Sequence, residues 1–250
     1  METVETGIPG FDQLISGGFP AGRVILLVGG PGSGKTILSS QFLIKGLTEL
    51  DENAVFVSLD EGKKHYFAEM LSFGWDFKKF EEDGKFVFID ATRMSRATLL
   101  AEKFGKDKSS LREKQLPIDR LVEKIESEIH RIGAKRVVVD TLATLFQRFP
   151  NAMERRAAIV DLFESLSELG STTLVTSELA RLGLNRKVSV EEYLAHGVIL
   201  TQTLFSNGVT SRALQIQKMR GVKINPNVVP YTIDRNGIEV FPEITIFGSS

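Results

Sequence analysis

Gly29-Gly30-Pro31-Gly32-Ser33-Gly34-Lys35-Thr36 fits the pattern G-x-x-x-x-G-K-[ST], which cradles the phosphates of nucleoside triphosphates. Its flanks fit as well. Arg23-Val24-Ile25-Leu26-Leu27-Val28 is a short apolar run of β type, and Thr36-Ile37-Leu38-Ser39-Ser40-Gln41-Phe42-Leu43-Ile44 begins a helical pattern. Strand, glycine loop and helix are the order that phosphate binding needs. The glycines let backbone N–H groups turn inward, and the helix N-terminus adds partial positive charge. We therefore expect Gly30, Pro31, Gly32, Ser33, Gly34, Lys35, Thr36 and Ile37 to form a nucleotide-binding loop. Lys35 would reach the β- and γ-phosphates, and the Thr36 hydroxyl would take a Mg²⁺ site.

Outward from the loop, apolar runs alternate with helical patterns. Residues 24–28, 54–59, 86–89, 136–140 and 172–176 read as buried strands, and 35–49, 63–73, 118–132 and 155–168 as helices. This predicts an α/β fold with a mostly parallel twisted sheet and helices on both faces. Ligands of such sheets sit beyond the carboxyl ends of the strands. The phosphate loop, Asp60-Glu61, Asp140 and Ser177 all fall at predicted strand ends. In the last third, 198–205 and 210–218 flank Asn207-Gly208, a hairpin signal, and 229–233 and 238–241 flank a second turn. C-terminal antiparallel strands extending the sheet are expected. With one phosphate loop and no internal repeat, 1–250 reads as one ATPase domain. Residues 91–117 are the least regular. Arg93, Arg96, Lys103, Lys106, Lys108, Arg112 and Lys114 stand against Glu102, Asp107 and Glu113 there. The segment reads as a solvated connector or amphipathic helix, or else as a mobile lid or partner-binding insertion.

Composition narrows the classes. Hydrophobic residues at 42% and charged residues at 25% are ordinary for a soluble globular protein. A net charge of −1 advertises neither nucleic acid nor acidic membrane globally. The absence of cysteine excludes disulfides, thiol catalysis and cysteine-ligated metals, and fits a reducing cytoplasm. Met1-Glu2-Thr3-Val4-Glu5 does not read as a signal peptide, and no apolar run reaches the roughly 20 residues of a membrane span.

Further chemistry lies at the strand ends. Arg136-Val137-Val138-Val139-Asp140 is an apolar strand ending in aspartate, which would hold Mg²⁺ through water opposite Thr36. Val55-Phe56-Val57-Ser58-Leu59-Asp60-Glu61 puts two carboxylates at the end of a strand expected to neighbour the phosphate-loop strand. Glu61 is the candidate base for the attacking water, with Asp60 in support; a capping role at the following helix is the structural alternative. Ser177 is a candidate sensor of the γ-phosphate, or simply a polar strand end. Lys218 and Arg220, two residues apart on a late strand, share a face and could meet one phosphate together, a neighbouring subunit's included. His65, His130 and His196 lack ligand spacing; Trp75 reads as packing, and Asp161, Glu164 and Glu168 as an exposed helix face.

Several of these segments together resemble the KaiC-like branch of the RecA/RadA ATPase superfamily. Thr6-Gly7-Ile8-Pro9-Gly10-Phe11-Asp12-Gln13-Leu14-Ile15-Ser16-Gly17-Gly18-Phe19-Pro20 is similar to that branch's opening. So are the strand ending in two acids, Ser72-Phe73-Gly74-Trp75-Asp76, the strands at 136–140 and 172–178, and Lys218-Met219-Arg220-Gly221. The resemblance runs from about residue 3 to 242. It implies a RecA-type core, ATP and Mg²⁺ as ligands, and hexameric rings with ATP at subunit interfaces. Lys218 and Arg220 would then act in trans on the neighbour's nucleotide. The family usually has Glu-Glu where this chain has Asp60-Glu61, which favours Glu61 as the base. The clock protein's second domain phosphorylates itself on adjacent hydroxyls. This chain has Glu191-Glu192-Tyr193 at the corresponding place, so plain ATP hydrolysis is expected. Two other readings stand beside the ATPase ring: a RadA-like DNA recombination accessory, supported by the basic segment alone, and a nucleotide-gated interaction module with little turnover that recruits a protein partner.

Overall fold

The computed structural model describes residues 2–92, 116–146, 151–179, 188–206 and 209–246. The cations and acids of the basic segment named above (Arg93, Arg96, Glu102, Lys103, Lys106, Asp107, Lys108, Arg112, Glu113, Lys114) and the Asn207-Gly208 turn lie outside the described residues.

Strands β1 (Thr3–Val4) and β2 (Phe19–Pro20) pair as a small antiparallel ribbon. Then follow β3 (Val24–Gly29), α1 (Lys35–Glu49), β4 (Ala54–Ser58), α2 (Lys63–Leu71), α3 (Phe77–Glu82) and β5 (Phe86–Asp90). After the undescribed stretch come α4 (Leu116–Ile132), β6 (Arg136–Asp140), α5 (Leu142–Phe146), α6 (Ala152–Glu168), β7 (Thr172–Glu178) and α7 (Val190–Leu194). Strands β8 (Gly197–Ser206), β9 (Val209–Met219), β10 (Val229–Asp234) and β11 (Gly237–Val240) close the chain. All but β1 and β2 form one nine-stranded sheet in the order β11-β10-β9-β8-β3-β7-β6-β4-β5. From β8 to β5 the neighbours are parallel; β9, β10 and β11 add antiparallel strands at the other edge. The expected α/β class, parallel sheet and late antiparallel extension are all present.

One expectation is corrected. β4, which carries Asp60-Glu61 just beyond its end, does not neighbour β3; β7 and β6 stand between them. The crossover through α1 skips two positions that later strands fill. Strand order is a tertiary property, on which hydrophobic periodicity is silent.

Buried strand residues alternate between two cores. Ile25, Leu27, Phe56, Val138 and Leu174 face α1, α2 and α3; Val24, Leu26, Val28, Val139 and Val175 face α4 and α6. Both faces are covered, so these strands read as continuous apolar runs. Helix α4 presents Leu121, Ile125 and Ile129 at four-residue spacing to the second core. Helix α6 starts where the Asn151 side chain accepts from the Glu154 amide at 2.8 Å. Trp75 stacks on Phe73 with centroids 5.0 Å apart and packs on the first core, a packing role as expected.

Among the described residues the largest wholly buried side chain is Arg136, at the start of β6. Its Nε donates to Glu52 at 2.6 Å and its Nη1 to the Phe42 carbonyl at 2.8 Å; its guanidinium lies 4.5 Å from the Phe42 ring centroid. A Cβ at position 46 would stand 2.6 Å from Arg136 Cδ, so only glycine admits this approach of α1 to β6. The guanidinium thus ties the phosphate-loop helix to the strand that ends in Asp140. Arg136→Ala is expected to lower unfolding stability in urea by about 3 kcal/mol, because it leaves Glu52 unpaired and opens a cavity. Arg136→Met, which keeps volume and removes a buried Nη2 that has no hydrogen-bond partner, is expected to cost clearly less.

Candidate nucleotide site

The loop between β3 and α1 takes its shape from two left-handed glycines, Gly32 (φ +71) and Gly34 (φ +79). Gly34 is also the N-cap of α1, so the helix begins at Lys35 with its free amides facing the loop. Lys35 Nζ donates to the carbonyls of Gly29 (3.0 Å) and Gly30 (3.1 Å), which folds the side chain over the loop. Burial pushes the Lys35 pKa down, and Asp140 and Glu178 oppose that shift. An anion in the cradle would meet the ammonium and the first-turn amides together.

Thr36 and Asp140 meet as expected. Thr36 Oγ1 donates to Asp140 Oδ2 at 2.7 Å. A second donor was not foreseen: Thr176 Oγ1 binds the other carboxylate oxygen, Oδ1. The carboxylate is thereby held between α1 and β7 at the end of its own strand. A hydroxyl beside a carboxylate at a phosphate loop is an oxygen donor pair suited to Mg²⁺. Thr36 and Asp140 would hold the ion, and Thr176 would orient Asp140.

Ser177 is not brought to this site. It is buried, faces the α4–α6 core, and donates to Glu191 Oε1 of α7 at 3.3 Å. The correction has a simple cause: alternation along β7 sends Thr176 to the α1 side with Leu174 and sends Ser177 the other way with Val175. Glu178, at the end of β7 opposite Gly29, is the further acid near Lys35.

Glu61 sits in a turn beyond β4. Its amide donates to Ser58 Oγ at 3.0 Å, and the Ser58 hydroxyl donates back to the Glu61 carbonyl at 2.5 Å. The Glu61 carboxyl has its pKa raised, first by burial and then by Glu69, with Asp140 and Asp60 adding and His65 opposing. Ser58 is level with Asp140 on the neighbouring strand β6, and the Leu59 amide donates to the Asp140 carbonyl at 2.7 Å, so the turn that carries Glu61 starts beside Asp140. Asp60 is exposed beside it. No side-chain cap for α2 comes from either acid, so the capping alternative for the pair is not what the geometry uses.

Lys218 and Arg220 converge, but far from their own loop. Lys218 Nζ donates to the carbonyls of Glu192 (2.7 Å) and Tyr193 (3.2 Å), and Arg220 Nη2 to that of Tyr193 (3.3 Å). Burial lowers the Lys218 pKa, the nearby Arg220 lowers it further, and Glu192 opposes both. Arg220 is level with the start of β3: its amide bonds the His196 carbonyl, and the His196 amide bonds that of Val24. Gly29 is five residues farther along, about 17 Å at the rise of a strand. Lys218 pairs with Val198, whose side chain lies in the α4–α6 core, so the cations stand on the sheet face opposite α1. A cavity of about 380 Å³ lies beside them between α6 and α7, lined by Phe163, Glu164, Glu168, Tyr193, His196 and Arg220. It is distinct from the phosphate loop.

A phosphate loop at the carboxyl edge of a parallel sheet, with a threonine–aspartate pair beside it, defines a P-loop nucleoside triphosphatase domain. Comparisons narrow the class. Residues 4–245 match the family model described as "ATPase: KaiC". A UPF0273 protein of Methanocaldococcus jannaschii is 34% identical over 97% of this chain and 98% of its own length. The circadian clock protein KaiC3 of Synechocystis is 33% identical over 97% of this chain, but the match covers 46% of that protein, so this chain spans about half its length. The crystal structure of a KaiC-like protein from Pyrococcus horikoshii superposes with a TM-score of 0.80 at 35% identity, covering 96% of this chain and 99% of that one. The chain belongs to the KaiC ATPase family.

Thr176 offers a direct check of the aspartate's role. Thr176→Val is expected to weaken Mg²⁺-dependent nucleotide binding several-fold by calorimetry while leaving metal-free binding unchanged; an equal loss in both would place Thr176 elsewhere in the site.

Proposed function

We propose that this protein binds ATP with Mg²⁺ and hydrolyses it at interfaces between copies of itself in a closed ring, hexameric if it follows the family's arrangement. We read 1–250 as one such ATPase domain with a regulatory or signalling role, and the cysteine-free composition supports a cytoplasmic setting. The observation that carries the reading is the separation of the two cation sets. Lys35 lies at the loop; Lys218 and Arg220 are paired on one carbonyl at the other end and face of the sheet. They have the charge to stabilise a phosphoryl transition state and no path to their own loop. A head-to-tail contact brings one subunit's cations to the next subunit's loop, and such heterologous contacts form a ring when the rotation between neighbours closes.

In this reading, residues 30–37 bind the phosphates and Asp140 with Thr36 holds Mg²⁺. Bound there, the ion would supply charge neutralisation to the phosphates. Glu61 orients a water for in-line attack on the γ-phosphorus and takes its proton as the bond to the leaving ADP oxygen breaks. Asp60 supports it. Lys35 and the neighbour's Lys218 and Arg220 balance the charge spread over the equatorial oxygens. Among the described residues no helix is long and apolar enough to cross a membrane.

Glu61→Gln is expected to keep ATP binding and assembly, measured by calorimetry and light scattering, while turnover falls by about 10²-fold or more. Arg220→Ala should also stay assembled and lose most turnover. Wild-type protein that binds ATP tightly without turnover would instead favour the nucleotide-gated interaction module.

The raised Glu61 pKa gives a signed pH dependence. The base works when deprotonated, so turnover rises with pH through an acid limb displaced upward from that of an ordinary glutamate. Glu69→Gln removes a like charge and should move that limb to lower pH; His65→Ala removes an opposing cation and should move it to higher pH. A limb that neither change moves would assign it to another group.

A further inference from the structure

Three buried hydroxyls lie under the phosphate loop, from residues far apart in the chain. The Thr201 hydroxyl of β8 lies 3.0 Å from the Ser33 hydroxyl and 3.3 Å from the Val28 carbonyl oxygen. Tyr231 of β10 donates its phenolic O–H to the Ser33 carbonyl at 2.6 Å. Ser33, Thr201 and Tyr231 are 1%, 0% and 3% exposed, so water does not substitute for these contacts. Two residues along β10, on the same strand face, Ile233 would stand 2.7 Å from a Cβ at position 34. A Cβ at position 29 would stand 2.1 Å from Thr201 Oγ1. The C-terminal strands therefore fit against both ends of the loop with no space to spare. Gln41 of α1 completes the attachment by exchanging two hydrogen bonds with the Ile238 backbone of β11, at 2.7 and 3.0 Å.

The Ser33 contact has a directional consequence. The Ser33–Gly34 peptide is trans and planar, so its C=O and its N–H point in opposite directions. Tyr231 grips the carbonyl from below the loop. The Gly34 N–H is therefore turned upward, toward the concave side where the Lys35 ammonium also lies. Gly34 is in the left-handed region, where glycine rotates readily, so its own backbone does little to fix that peptide. The fixing force comes from Tyr231.

We propose that Tyr231, seconded by Thr201, is a positioning residue that presents the Gly34 amide to the nucleotide's phosphates. The proposal rests on the phosphate loop binding nucleotide and adds what holds it ready. Without the phenol the peptide can flip, and the Ser33 carbonyl then faces the phosphate oxygens and repels them. The loss falls on phosphate binding and on any turnover that depends on it.

The test measures ADP and ATP affinity for the full-length protein by calorimetry, with the Gly34 amide proton followed by NMR. Tyr231→Phe is expected to weaken both nucleotides about three- to tenfold, the range for a lost hydrogen bond. It should also shrink the ligand-induced shift of the Gly34 amide proton. Thr201→Val should act in the same direction and Thr201→Ser should restore binding. Ser171→Ala is the control: it removes a buried hydroxyl bond to the Ala134 carbonyl (2.7 Å) at the amino ends of β6 and β7, the end of the strands away from the loop. It should lower thermal stability while leaving affinity and the Gly34 resonance alone. If Tyr231→Phe fails to fold, the Thr201 pair carries the test. Tyr231→Phe and Thr201→Val binding as tightly as wild type, with an unchanged Gly34 shift, would overturn the proposal. A wild type that binds neither nucleotide would instead overturn the reading of the loop itself.

Discussion

Asp140 is the point on which the site turns. Its carboxylate ends β6 and receives one hydroxyl from α1 and another from β7. A partly buried carboxylate needs its lone pairs satisfied, and here each oxygen takes a separate partner. Those two contacts fix how the phosphate-loop helix sits over the sheet edge. Arg136, at the other end of β6, holds the middle of α1 through the Phe42 carbonyl and the turn beyond α1 through Glu52. The loop is therefore mounted on a helix fastened to both ends of one strand, which is the rigidity a phosphate cradle requires.

The antiparallel strands serve the site from two sides. β10 supports the loop through Tyr231 and Ile233, and the end of β9 carries Lys218 toward the opposite face. One addition to the parallel core thus contributes to the protein's own loop and to the cations aimed outward. The Tyr193 carbonyl holds Lys218 and Arg220 side by side, so part of their mutual repulsion is offset within the chain.

How much of this could be read from residues alone depended on range. The loop, the helix after it and Asp140 were legible because each is a local pattern whose parts are adjacent in sequence. The choice between Thr176 and Ser177 was not. β7 is buried on both faces nearly to its end, so polarity does not mark which side a residue faces. The position of β4 was misjudged because consecutive strands need not be neighbours. Thr201 and Tyr231 reach Ser33 across 168 and 198 residues, and nothing in their local sequence distinguishes them from ordinary strand residues. The pairing of Lys218 with Arg220 was foreseen from spacing; the carbonyl that holds them was not.

Catalysis shared between subunits makes a direct demand on assemblies of two different variants. In the proposed ring, Glu61→Gln would spoil the base of a subunit's own loop, and Arg220→Ala the cation it offers to its neighbour. Mixing the two inactive proteins, after dissociation and reassembly, creates interfaces in which an intact loop with Glu61 meets an intact Arg220. Turnover that reappears on mixing and rises with the fraction of mixed interfaces is the predicted result. Mixed assemblies, verified by mass, that remain as inactive as either parent would contradict it.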